Sequence, residues 1–209
     1  VMSVASFGDS ARYKKQMQSL LYPEGFGFKV DADTLCFRLE DYSHLIAYYL
    51  DAYEAFFDPL FLEKANTLIQ YCMERFTLPE TALFVFSEEE KLILQTKEVN
   101  DNVIPSSNAV MAENLMRASV HLGKMEWLLQ AKKMIALVGK EILDYPRGYS
   151  TWLRLALSLQ EPSIEIVVVG PKAVAWISDL QKSYLKVTHW AASNTASDYP
   201  LLKGRFQEG

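Results

Sequence analysis

Two apolar stripes of helical period, separated by an Asp-Pro pair, limit what this chain can fold into more than anything else in its sequence. Tyr42, Leu45, Ile46, Tyr49, Leu50, Tyr53, Phe56 and Phe57 recur at spacings of three and four, which gathers them on one face of an α-helix. Phe61, Leu62, Ala65, Leu68, Ile69, Cys72, Met73 and Phe76 repeat the pattern over 59–76. Between the two stripes, Asp58 offers an acceptor to an unpaired helix amide, and Pro59 stands where a first-turn residue needs no N–H. Amphipathic helices with so short a link must fold back on each other, so an antiparallel helix hairpin is predicted.

The arrangement recurs about 65 residues later, as architecture and not as sequence. Ser106 or Ser107 can cap a helix that runs to His121, Gly123 stops it, and Trp127, Leu128, Ala131, Ile135 and Val138 mark the returning helix. Tyr149 to Leu159 opens a third pair. Earlier, Asp9 to Leu21 reads as a short polar helix ended by Tyr22-Pro23-Glu24-Gly25, and Phe26 to Arg38 as an extended excursion. Between the first two pairs, Phe84-Val85-Phe86 and Leu92-Ile93-Leu94 flank the acidic Ser87-Glu88-Glu89-Glu90, predicting a β-hairpin with a solvated turn. After Glu161-Pro162 the β-branched run Ile164 to Val169, closed by Gly170, predicts a buried strand. A helix over Ala173 to Tyr184 and a second strand over Leu185 to Trp190 complete a strand-helix-strand unit. The chain is therefore read as mainly α, with residues 1–160 forming helix hairpins and 161–209 a small α/β appendage.

Composition excludes several function classes. The net charge is -5, without a cluster of Lys and Arg, so neither nucleic acid nor an anionic membrane is expected as partner. The longest apolar runs fall far short of the roughly 20 residues that span a bilayer. Val1 to Ser10 carries no basic stretch followed by an apolar core and is not read as a signal peptide. Cys36 and Cys72 lack metal-ligand spacing; Cys72 lies on an apolar helix face and is read as a buried free thiol, which suits the cytoplasm. No His, Asp and Glu combination has metal spacing either, and Gly170-Pro171 belongs to no phosphate-binding motif. Neither a metal nor another cofactor is expected. His44, His121 and His189 receive no role.

An ordered set of short motifs resembles a known family. Glu40-Asp41-Tyr42, then Lys97-Glu98, Asp101 and Pro105-Ser106-Ser107-Asn108, then the Val-Val-Val-Gly strand ending at Gly170, run in the order found in the YyaL-like, spermatogenesis-associated thioredoxin-domain family. The resemblance implies part of an (α/α)6 toroid similar to N-acylglucosamine 2-epimerases and six-hairpin glycosidases, preceded in the intact protein by a thioredoxin-like domain. A ring of six hairpins needs about twelve helices, which at mean helix and loop lengths of roughly 12 and 6 residues exceeds this chain. A fragment that self-associates through its uncovered flank is the expectation.

What the resemblance implies about function is a sugar ligand held where first-helix starts converge. Glycoside chemistry wants two carboxyl groups about 5 to 10 Å apart, one protonated and one ionised. Glu98, Asp101 and Asp41 are the candidate catalytic residues, and Glu40, Tyr42, Lys97, Ser106 and Asn108 the candidate substrate-binding ones. Each also has a plain architectural reading: Asp41 as a helix cap, Asp101 and Asn108 as loop ties, Lys97 as a surface ion-pair member, Tyr42 as core. Related epimerases use histidines as proton carriers, but the family pattern gives His44 no such place. The alternative to a carbohydrate-processing or carbohydrate-binding protein is a non-catalytic helical platform for a protein partner or a thioredoxin-like domain.

Overall fold

A computed structural model of the chain describes residues 38–78, 80–87, 97–186 and 188–206. Among them are seven α-helices and one two-stranded sheet. The helix expected over Asp9–Leu21, nearly all of the Phe26–Arg38 excursion, Cys36, the acidic turn and the second arm of the expected hairpin lie outside the described residues.

The first hairpin is α1 (Leu39–Phe56) and α2 (Pro59–Arg75). Phe57 closes α1 in the left-handed conformation, at φ 55°, and Asp58 accepts a hydrogen bond from Leu60 N to start α2. Left-handed backbone costs a residue with a Cβ about 1 kcal/mol. Burial of the Phe57 ring against Ala173, Ile177 and Ala192 is worth about 2 kcal/mol and offsets it. Tyr49 near the middle of α1 meets Phe61 at the start of α2, with ring centroids 6.4 Å apart, while Tyr42 near the start meets Phe76 just past the end, at 5.6 Å. Those two contacts fix the antiparallel sense.

The second hairpin is α3 (Ser107–Leu122) and α4 (Met125–Leu137). Ser106 caps α3 through Ala109 N, and Gly123 ends it at φ 67°. A short α5 (Gly139–Asp144) and a 3-10 turn (Pro146–Tyr149) lead into α6 (Ser150–Ser158). The central helix is α3, buried on most of its circumference, as expected of an element surrounded by others. Against it α1 runs parallel. Asn114 Nδ2 donates to Ser43 O (2.7 Å) near one end, and His121 Nε2 meets Glu54 Oε1 (3.0 Å) near the other. On the opposite flank α6 also follows α3: Thr151 and Ser106 share the Asp101 carboxylate at their starts, and Arg154 pairs with Glu113 one turn on. α1, α3 and α6 thus point the same way, but the third hairpin expected from the sequence is not formed among the described residues, because α6 is followed by β1 and not by a returning helix.

The α/β unit is β1 (Glu165–Val169), α7 (Ala173–Leu180) and β2 (His189–Ser193), with parallel pairing from Glu165 opposite His189 to Val169 opposite Ser193. Parallel strands require such a crossover. Two expectations need correction. β1 is half-buried rather than buried, because it is one edge of a two-stranded sheet, whereas β-branched runs of this kind usually sit inside larger ones. The second strand begins at His189, later than Leu185, and α7 stops at Leu180.

The described arm of the expected β-hairpin makes one antiparallel bridge, Phe84 with Thr77 after α2. Phe86 O then accepts from Leu39 N. This stretch is a strap across the end of the bundle where α1 and α3 begin.

Candidate functional site

Two polar clusters occupy opposite ends of the α1–α3 pair. The first is the loop the sequence singled out. Asn108 is fully buried in the first turn of α3, and its amide reproduces a strand partner: Oδ1 accepts from Phe84 N (2.8 Å) while Nδ2 donates to Phe84 O and Glu98 O (3.0 Å each). Glu98 Oε2 accepts from Ser107 N (3.1 Å), at an uncapped helix amide where negative charge is favoured. Asp101 is more heavily engaged. Its Oδ1 accepts from Ser106 N (3.0 Å) and its Oδ2 from Thr151 N (2.7 Å) and Ser150 Oγ (3.2 Å). One carboxylate therefore joins the starts of α3 and α6. Tyr149 Oη and Trp152 Nε1 add bonds to Asn100 Oδ1 and Val99 O.

The other sequence candidates lie at the start of α1. Asp41 accepts from Arg38 N (2.9 Å), which satisfies an amide that the helix leaves without a partner. Glu40 is half-buried, and Tyr42 packs in the core against Tyr71 and Phe76. Lys97 is half-buried beside Glu98. The strap links the two groups, since Phe84 holds Asn108 while Phe86 holds Leu39 and lies under the Arg38 guanidinium at 5.3 Å. Glu98, Asp101, Ser106 and Asn108 are brought together, and Glu40, Asp41 and Tyr42 stand at the same end.

The second cluster escaped the sequence reading. Glu54 in the last turn of α1, His121 in the last turn of α3 and His189 at the start of β2 each place a ligand-type atom within 4.8 Å of the others. Glu54 Oε1 lies 3.0 Å from His121 Nε2 and 3.9 Å from His189 Nδ1. Its Oε2 receives Arg117 at 3.3 Å, and Arg117 also contacts Asp51 at 2.8 Å. Gln181 Nε2 donates to Glu54 O (2.9 Å), which fastens the end of α7 to the end of α1. The two imidazoles meet edge to face with centroids 5.4 Å apart, and Tyr53 stacks on His121 at 5.0 Å.

Burial would raise the Glu54 carboxyl, but the His121 hydrogen bond and the positive charge of Arg117 prevail and hold it below the ordinary range. His189 goes the other way. Burial foremost, then the like charges of His121 and Arg117, outweigh the pull of Glu54 and lower it to about 4. A neutral imidazole therefore faces an ionised carboxylate at neutral pH. Sequence spacing gave no sign of this, because His121 lies 67 residues beyond Glu54 and nothing local couples them. The one available hint was the placement of His121 in a last helical turn on a buried side.

No helix among the described residues is long and apolar enough to cross a membrane. No family model matches the chain. Among characterised sequences it is similar to spermatogenesis-associated protein 20 of mouse, 28% identical over 135 residues. The human protein of the same name gives 28% over 134 residues. At this modest identity the chain is a relative of spermatogenesis-associated protein 20. The family resemblance read from the Glu40 to Gly170 motifs is borne out at that level. The match covers 63% of this chain but only 17% of the mouse protein, so the chain spans a small part of the spermatogenesis-associated relatives it matches.

Proposed function

We propose that this chain is part of an (α/α)6 toroid, with residues 1–160 contributing helix hairpins and 161–209 an α/β appendage, in a protein that binds or processes carbohydrate. The supporting observation is the common sense of α1, α3 and α6, whose starts are gathered at one end by Asp101 and by the strap through Phe84 and Phe86. Hairpins wound in one sense build a ring, and a ring gathers its first-helix starts around one opening. In this reading the remaining hairpins and a thioredoxin-like domain lie elsewhere in the intact protein.

The candidates divide by what they already hold. Asp101, Ser106 and Asn108 shape the rim, and Asp41 fixes the start of α1. Glu98, with one carboxylate oxygen committed to Ser107, joins Glu40 and Lys97 as the groups that meet sugar hydroxyls. Helix amino termini at this end favour a hydroxyl-rich or anionic ligand.

Thermal unfolding of the intact protein against a panel of mono- and disaccharides tests the proposal. A sugar at about 100 times its dissociation constant adds about 2.7 kcal/mol of stability. Glu98→Gln keeps an acceptor for Ser107 N and should weaken that effect. A stabilising sugar whose effect survives both Glu98→Gln and Asp101→Asn removes these residues from the site. No stabilisation by any sugar leaves the helical platform as the reading.

A further inference from the structure

We propose that Glu54, His121 and His189 form a binding site for a divalent transition-metal ion, zinc being the ion this donor set suits best. The inference is independent of the sugar reading, because the cluster lies at the opposite end of the α1–α3 pair.

The geometry is close to a ligand set. An ion with bonds of about 2.0 to 2.2 Å holds neighbouring ligand atoms about 3.0 to 3.5 Å apart. Glu54 Oε1 and His121 Nε2 are 3.0 Å apart, and Glu54 Oε1 and His189 Nδ1 are 3.9 Å apart. The first distance needs no change, the second must close by a few tenths of an ångström, and all three ligand atoms already lie within 4.8 Å of one another. Two imidazoles and a carboxylate leave a further coordination position for water, as in zinc sites built from this set.

A buried ion-pair network is the competing account. It explains Glu54, Arg117, Asp51 and the hydrogen bond to His121, but not His189. That ring is 5% exposed, and its Nδ1 has no hydrogen-bond partner among the described residues while facing the carboxylate. Buried polar atoms are nearly always paired, and an unpartnered ring nitrogen facing a carboxylate oxygen is where a cation fits.

The surroundings do what outer ligands do at metal sites. Arg117 takes Glu54 Oε2, turning Oε1 toward the histidines, and Asp51 offsets the guanidinium charge. Gln181 holds the Glu54 backbone. The Glu54 side chain is 18% exposed while His121 is 1%, so the carboxylate edge is the route by which an ion enters.

The chain has three histidines, which makes a clean test. The metal-free 209-residue chain is titrated with zinc against a chromophoric chelator, alongside His189→Ala, Glu54→Gln, and the controls His44→Ala and Cys36→Ser. One ion per chain is expected, with affinity reduced at least about tenfold in the first two variants and unchanged in the controls. Cobalt(II) added to the unmodified chain gives a readout that survives a misfolded variant. The intense visible bands of a tetrahedral site with histidine nitrogen support the proposal, and the weak spectrum of the solvated ion overturns it. Zinc binding that persists in folded His189→Ala also overturns it, as does the absence of stoichiometric binding to the unmodified chain.

Discussion

At the scale of single residues, Asn108 is the side chain on which the described loop most depends. Its three bonds stand in for a missing strand partner of Phe84, and the site is closed to water. Asn108→Ala should lower the unfolding free energy by about 2 to 4 kcal/mol, since it strands two backbone groups as well as deleting the amide. A urea midpoint within error of the parent would show that the strap is held otherwise. Tyr53 carries a different consequence. Burial, with the nearby Tyr199 and Glu54 as lesser causes, raises its phenol well above the ordinary value of 10.0. The folded state then holds that proton more tightly than the unfolded one, so the contribution is complete below about pH 10 and is lost as pH climbs past it. Stability measured from pH 8 to 11 should fall more steeply in the parent than in Tyr53→Phe. Parallel curves would contradict the assignment.

At the scale of elements, the hairpins were legible because their signals are local. The three-four period of α1 and α2, the Asp58 cap and the Gly123 stop all act within a turn or two of the residues they govern. Gly123 also has a tertiary reason. A Cβ there would come within 2.8 Å of Pro200 Cγ, on backbone at φ 67°. Gly123→Ala should therefore destabilise by about 1 to 3 kcal/mol, visible as a lower melting temperature with unchanged helix content at 20 °C. Elements whose character depends on distant neighbours were read less well. The run Ile164 to Val169 announces a strand, but its burial is decided by how many strands join it. The break between α4 and α6, where α5 and a 3-10 turn intervene, carries no clear periodic signature. Likewise Glu98, Asp101 and Asn108 stood out as a motif, whereas Glu54, His121 and His189 share no element and became neighbours only through packing.

For the whole molecule, the covering of the helices is uneven. Leu153 and Leu157 lie one turn apart on α6 and, with Leu129 and Leu143, remain exposed. If further hairpins pack on this flank in the intact protein, the isolated chain should self-associate through it, and Leu153→Glu with Leu157→Glu should return it to monomer. Light scattering that finds a strict monomer at high concentration would count against a missing neighbour. The path of the chain has a further consequence. Gln181 reaches the Glu54 backbone across 127 residues, and His189 follows it into the same corner. A contact of that span is reached late, after the local hairpins have formed. On the ribosome, Glu54 and His121 emerge and fold first, and the corner stays open until residue 189 has cleared the exit tunnel. Its closure waits on β2, and a truncation before β2 would leave Glu54 and His121 formed but unable to close it.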